Sequence, residues 1–140
     1  MIILDTNVVS ELMRAEPAAQ VRKWILARRP GELGTTAVTV AEIRYGIERL
    51  PAGRRKDALL SAAVDLFAVF GDLVQPFDTA AAEWYGRITA RRDGLGLPIG
   101  SFDAQIAAIC RTRDVALATR NVADFRETGI EIIDPWRQNA

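Results

Sequence analysis

Three apolar residues, Ile2-Ile3-Leu4, run without interruption near the start of the chain, the pattern of a strand covered on both faces. Further short apolar segments follow at 33–38 (LGTTAV), 73–78 (LVQPFD), 115–119 (VALAT) and 130–135 (IEIIDP). Between them the spacing of apolar positions becomes helical. NVVSELMR begins one helix just after Asp5, and Pro17 opens PAAQVRKWILARR, in which Val21, Trp24, Ile25 and Leu26 cluster on one side. TVAEIRYGIERL predicts a helix from Thr39 that Pro51-Ala52-Gly53 stops, and a longer helix runs from Arg54 to Phe70. Thr79 caps TAAAEWYGRITARRDG, with Gly94 past its end. The loop GLGLPIGS then leads to the helix SFDAQIAAICRTRD, and RNVADF forms a turn with a short helix.

Four or five short strands alternating with helices predict a three-layer α/β/α domain around a mostly parallel sheet. No repeat, linker or low-complexity segment divides the chain, so residues 1–140 read as a single domain. The helix at 54–70 is the exception to simple amphipathicity. ALLSAAVDLFAVF is apolar nearly all round, so it must be covered on two sides or present a contact surface, and we expect a dimer or partner interface there.

Composition narrows the chemistry. The chain has no histidine, which removes Ser-His-Asp and Cys-His triads, histidine-bearing zinc sites and RNA cleavage by paired imidazoles. Cys110 is the one cysteine, so no intrachain disulfide forms, and in AQIAAICRTR it reads as a small buried hydrophobe. Neither a signal-peptide pattern nor an apolar run long enough for a membrane span is present, and a cytoplasmic protein is expected. The 18 basic and 18 acidic residues cancel, giving no general pull toward nucleic acid. Only Lys23 and Lys56 among the basic residues are lysine; the arginine bias suits phosphate binding and equally suits a GC-rich coding sequence.

In open α/β sheets the functional crevice lies at the carboxyl ends of the strands. Four acids map there: Asp5 directly after the first strand, Glu42 one turn into its helix, Asp103 in the first turn after Ser101, and Asp124 in the short helix after VALAT. Three of them also fit helix caps. Thr39 to Glu42 has capping-box spacing, Ser101 precedes Asp103 as a cap with a dipole-complementing acid, and Asn121 to Asp124 repeats that spacing, each worth about 0.3–1 kcal/mol. Asp5 could itself cap the helix beginning near Asn7, but an acid ending a doubly buried strand must be hydrogen-bonded, capping or liganding something. Taken together, four crowded carboxylates repel one another unless a cation compensates. Mg²⁺ or Mn²⁺ is such a cation, a hard ion that takes oxygen ligands and can activate water against a phosphodiester without help from an imidazole.

The segments MIILDTNVVSEL, TVAEIRYGIERL, PIGSFDAQIAA and ATRNVADF resemble, in order and spacing, the four acidic motifs of PIN-domain ribonucleases. Within that family the likeness is to the VapC and FitB type toxins of bacterial type II toxin-antitoxin modules, over essentially the whole chain. The resemblance implies a PIN-like fold and a Mg²⁺-dependent endoribonuclease in which Asp5 and Asp103 hold the metal. It further implies that Glu42 and Asp124 complete the pocket and that Thr6 or Asn7 and Asn121 help to orient it. It also implies a homodimer neutralised by a small cognate antitoxin, whose tail lies in a helical groove and sends an arginine toward the acids.

Two rival readings remain. A phosphotransferase of the haloacid-dehalogenase or receiver type also begins with an apolar strand running into Asp, but the second acid expected two residues on is Asn7, and neither lysine follows a strand. A PIN-like module that binds RNA or its antitoxin and cuts poorly is the other. The aromatic residues Trp24, Trp84, Tyr85 and Trp136 form no recognisable base-reading platform in the sequence, and Arg87, Arg91 and Arg92 or Arg111, Arg113 and Arg120 are candidate phosphate contacts.

Overall fold

The computed structural model describes residues 1–138. Five strands, β1 (Ile2–Leu4), β2 (Leu33–Thr36), β3 (Val74–Gln75), β4 (Ala116–Ala118) and β5 (Ile132–Ile133), form one sheet in the order β3-β2-β1-β4-β5, and all four pairings are parallel. The expected mostly parallel sheet is thus wholly parallel. The helices are α1 (Thr6–Leu12), α2 (Ala19–Leu26), α3 (Ala37–Glu48), α4 (Arg54–Phe70), α5 (Thr79–Gly94) and α6 (Ser101–Arg113), with 3-10 turns at Gly71–Leu73 and Val122–Phe125.

The apolar run of β1 feeds two cores at once, because successive side chains point to opposite faces of a strand. Ile3 packs with Leu117 of β4 against α5 and α6, while Leu4 packs with Ala118 against Val8, Val9, Val21, Ile43 and Phe70 from the helices of the other face. Both Ile3 and Leu4 are fully buried, which is why the strand shows no polar alternation. Chain order reverses direction across β1: β2 and β3 lie to one side, β4 and β5 to the other. The β1/β4 boundary is therefore a switch point, where the following segments diverge and leave a crevice.

Several helix starts differ from expectation. α3 begins at Ala37, capped by Thr36, whose hydroxyl accepts the Thr39 N–H, so Thr39 and Glu42 do not form a capping box. α5 is capped by Asp78 in place of Thr79, and Gly100 precedes α6 where Ser101 was expected to cap. Asn121 makes no side-chain cap to the 3-10 turn. Where a strand precedes the shifted start, before α3, α5 and the Val122–Phe125 turn, that strand ends one to three residues earlier than the apolar pattern does. Leu26, expected on the buried side of α2, is 73% exposed. On α4, Leu59, Leu60, Leu66 and Phe67 pack into the core while Val64 and Val69 stay exposed, the latter at 82%. Cys110 is fully buried, and burial pushes its thiol pKa up, in keeping with an inert core residue.

Arg92 near the end of α5 is buried, at 5% exposure, and its guanidinium is spent on main-chain carbonyls. Nε donates to Leu97 O at 2.6 Å, and Nη1 donates to Asp124 O at 2.8 Å and Arg126 O at 2.6 Å. This clamp fastens the turn carrying Asp124 to the helix pair α5/α6. Because hydrogen bonds to a charged group contribute about 1.5–3 kcal/mol each and deletion orphans buried acceptors, Arg92→Met is expected to lower unfolding free energy by about 2–4 kcal/mol. Chemical denaturation measures this; a loss under about 0.5 kcal/mol would contradict the clamp.

Candidate active site

Leu4 and Ala118 are register partners, so Asp5 and Thr119 leave the sheet side by side, and the Asp5 N–H donates to Ala118 O at 2.9 Å. Asp5 is 3% exposed. Its Oδ1 accepts from Thr6 N at 2.8 Å, and its Oδ2 accepts from the Thr119 hydroxyl at 2.8 Å and from Asn7 Nδ2 at 3.3 Å. The Thr119 hydroxyl also accepts from Asn7 Nδ2 and from the Asn121 N–H, each at 3.1 Å. With both acceptor positions used, its single proton must point at Asp5. The Arg120 N–H donates to Asn7 Oδ1 at 3.2 Å and so sets the amide's orientation. The network leaves one lone pair of Oδ1 uncommitted, since a carboxylate offers about four acceptor positions.

Glu42 is oriented by a second chain of hydroxyls. Thr36 donates to Thr39 at 3.3 Å, Thr39 lies 3.1 Å from Thr6, and Thr6 donates to Glu42 Oε1 at 2.8 Å. The Thr39 oxygen receives the Thr36 proton, so its own proton is free to go to Thr6, and every donor in the row points toward Glu42. Such alignment strengthens each bond in turn. Freed from the expected capping box, Glu42 lies in the second turn of α3 and reaches the end of β1 through Thr6.

Asp103 occupies the first turn of α6, half-buried, and Asp124 sits exposed on the 3-10 turn after β4. The four acids share one field. Burial raises the Asp5 pKa, partly offset by its bonds from Thr119 and Thr6, and the charges of Glu42 and Asp124 raise it further. Burial likewise raises Glu42, opposed by Thr6 and reinforced by Asp103. Asp103 is pushed up to about 6, by burial first and then by Asp5 and Asp124, with buried Arg92 pulling the other way. Asp5, Glu42, Asp103 and Asp124 are thus brought together, with Thr6 and Asn7 in hydrogen-bond contact with the set. Asn121 joins through its backbone alone.

The donor set consists of carboxylate oxygens, the ligands a hard divalent cation prefers, and a cation would relieve the mutual repulsion. Among the described residues no three Asp, Glu or Cys side chains converge closely enough to hold an ion unaided. By its chemistry the donor set suits a hard divalent cation whose remaining ligands are water or substrate oxygens.

Sequence reasoning missed Thr119, read Thr39 as a helix cap, and read Arg92 as one of several candidate phosphate contacts. The signal for Thr119 is a polar residue closing an apolar strand, as Asp5 does, in the neighbouring strand; Thr39 and Arg92 carry no local signal. Of the candidate phosphate-binding arginines, Arg92 is taken by carbonyls, Arg91 pairs with Glu127 at 2.7 Å, and both Arg87 and Arg111 stack on Trp84. On the Glu42 side of the acids, Thr6, Met13, Ile43, Gly46, Ile47 and Leu59 border a largely apolar groove of about 380 Å³ between α1, α3 and α4.

Comparison with known proteins agrees with this architecture. The PIN domain family model matches residues 2–131. The plasmid stability protein StbB of Pseudomonas syringae pv. tomato is 39% identical over 97% of this chain and 99% of its own length. The VapC ribonuclease Y4jK of Sinorhizobium fredii is 38% identical over 97% of this chain and 98% of its own. Among solved structures, the complex described as FitAB bound to an IR36 DNA fragment contains a chain that superposes with a TM-score of 0.93 at 30% identity, covering 100% of this chain and 99% of that one. The sheet order, the acid cluster at its switch point and the matches over nearly the full chain place this protein in the PIN-domain family, with VapC ribonucleases among its relatives.

Proposed function

We propose that the chain is a divalent-metal-dependent endoribonuclease toxin that hydrolyses RNA phosphodiester bonds and is held in check by a cognate antitoxin. The observation that carries this reading is the convergence of Asp5, Glu42, Asp103 and Asp124, from four separate elements, at the β1/β4 switch point. Asp5 and Asp103 would hold Mg²⁺, or Mn²⁺ in its place, which when bound supplies charge neutralisation at the phosphodiester and activates water. Thr119, Asn7 and the Thr6 N–H fix the Asp5 carboxylate in one orientation with one lone pair to offer. Thr6 holds Glu42 by Oε1 and leaves Oε2 without a hydrogen bond among the described residues, open to orient water. Asp124, carried on the turn that Arg92 clamps, closes the acidic rim. Hydrolysis in this geometry would leave a 5′-phosphate and a 3′-hydroxyl.

The apolar groove beside Glu42 supports the second half of the reading. Its lining by helix faces suits an amphipathic segment of an antitoxin, whose tail would end beside the acids. The solved relative pairs FitB with FitA on DNA, which favours a similar toxin-antitoxin assembly for this chain. Exposed Val64 and Val69 on α4 extend the apolar surface available to a partner or a second copy.

Three measurements test the reading. Purified protein given structured RNAs should cleave only with Mg²⁺ or Mn²⁺, and Asp5→Asn should reduce cleavage by about 100-fold or more; metal-independent cleavage, or undiminished activity in the variant, would refute the mechanism. Stability offers an independent check. Asp103 titrates near 3.8 unfolded and about 6 folded, so the stability it contributes is full below 3.8 and is lost as pH rises through about 6. Without metal, Asp103→Asn should match the parent's melting temperature only near or below about pH 3.8, with a gap that opens between about pH 4 and 6 and reaches about 2–5 °C at pH 8, discounted for the partial exposure of the side chain. Millimolar Mg²⁺ should narrow that gap by stabilising the parent; a gap that ignores pH would mean that burial and the neighbouring acids do not hold the Asp103 carboxyl up. In the groove, a Cβ added at Gly46 meets nothing within 4 Å. Gly46→Trp should therefore fold, fill the groove and weaken antitoxin binding by at least about tenfold while RNA cleavage persists; calorimetric titration with unchanged affinity would remove the groove from the partner's path.

A further inference from the structure

The acid cluster separates two unlike grooves. Glu42 borders the apolar one, whereas Asp124 borders a polar groove of about 920 Å³ built from Gln20 of α2, the Arg120–Asp124 segment after β4, and Asp134, Trp136 and Arg137 after β5. The second groove thus opens from the same strand ends as the candidate active site, on its other side. Its two arginines, Arg120 and Arg137, stand beside the carboxylates of Asp124 and Asp134. The Arg120 guanidinium lies 5.1 Å from the Trp136 ring, stacked on it, and forms no ion pair within 4 Å among the described residues. Arg137 is 88% exposed, with a single long contact of 3.8 Å to Asp134. Asp134 is itself occupied, its Oδ1 accepting the Trp136 N–H at 2.9 Å. The Asn121 amide side chain, at the groove's edge, makes no hydrogen bond among the described residues.

A stacked guanidinium on an indole, a second, exposed guanidinium held only by a long contact to Asp134, and an open amide suit one chemistry in common: a flexible strand of phosphates and bases. Backbone phosphates take guanidinium forks, and a base takes a flat cationic or aromatic face. Single-stranded RNA is bound in this way because its unstacked bases are available for such contacts. The apolar groove offers no cation beyond Arg14 and Arg55 at its edge and suits a peptide helix instead.

We infer that the Arg120–Trp136–Arg137 groove holds the single-stranded RNA flanking the cleavage point, with phosphates on the two arginines, one base on the Arg120–Trp136 stack, and Asn121 reading a base edge. This deepens the ribonuclease reading and rests on it. The strand would run from this groove past Asp124 to the phosphodiester at Asp5 and Asp103, which makes these residues determinants of which sequence is cut.

The test uses the full chain in EDTA with fluorescently labelled single-stranded RNA, measuring anisotropy across a salt series, alongside cleavage of the same RNA in Mg²⁺. The Arg120→Ala/Arg137→Ala double variant is expected to bind about tenfold or more weakly and to lose about 1.4 from the slope of log affinity against log salt, as two single-strand phosphate contacts require. In cleavage it should raise KM with kcat largely kept. Trp136→Leu should weaken binding about tenfold with little change in slope, and Trp136→Phe should recover most of it; melting curves confirm that each variant is folded. If the parent cleaves RNA while the double variant keeps its affinity, slope and KM, the groove assignment falls and the ribonuclease reading stands. If the parent neither binds nor cleaves RNA, both fall. If the double variant loses antitoxin binding and keeps RNA affinity, the groove belongs to the partner protein and the inference is overturned.

Discussion

A carboxylate withdrawn from water between two parallel strands is the constraint around which the acidic end of this sheet is organised. Burying an ionised group costs several kcal/mol unless it is paired or hydrogen-bonded. Asp5 has no basic side chain paired with it, and its compensation comes from the Thr119 hydroxyl, the Thr6 N–H and the Asn7 amide. Each of those donors is held by something else in turn: Asn7 by the Arg120 N–H, Thr119 by the Asn121 N–H, and Thr6 by its bond to Glu42. A change at β1 therefore propagates to the start of α1, the end of β4 and the second turn of α3. The geometry is rigid for this reason, and rigidity is what a site that must orient carboxylates toward a common point requires.

Electrostatics place the opposite demand on the same residues. Burial and mutual repulsion raise Asp5, Glu42 and Asp103, so the acids are held together against their own charge. Local strain of this kind is tolerable because the framework beneath is apolar and doubly covered, with Ile3 and Leu117 on one side of the sheet and Leu4 and Ala118 on the other. Arg92 adds a fixed positive charge from below the pocket while its hydrogen bonds go to carbonyls. It moderates Asp103 without neutralising the pocket, and a cation could still be attracted there. The two grooves that meet at the acids then differ in a way that follows from their walls: helix faces make one apolar, and strand-end loops rich in arginine and amide groups make the other polar.

Much of this was legible in the chain. Unbroken apolar triplets predicted strands buried on both faces, since only a doubly covered strand tolerates them, and their alternation with helical periods predicted the α/β layers. Asp5 stood out because an acid at the end of such a strand has few physical excuses. Glu42, Asp103 and Asp124 were harder, since helix caps offer the same residue types at the same spacings. The structure separates those explanations for Glu42: Thr36 does the capping, and Glu42 receives a bond from Thr6, thirty-six residues earlier in the chain. Arg92 could not be distinguished from its neighbours Arg87 and Arg91 by sequence, because what singles it out is the convergence of the Leu97 carbonyl with two carbonyls from a turn more than thirty residues away.

By itself the sequence determined which segments are strands and helices, that no histidine chemistry operates, and which acids lie near strand ends, because periodicity and residue type are local properties. The tertiary structure alone decided strand order, and with it everything that depends on β1 lying between β2 and β4. That adjacency sets Thr119 against Asp5, turns Thr6 toward Glu42, and divides an apolar groove from a polar one across a single acidic pocket. Hydrogen bonds and fields act through space between residues separated by up to 114 positions, and no pattern along the chain encodes such a distance.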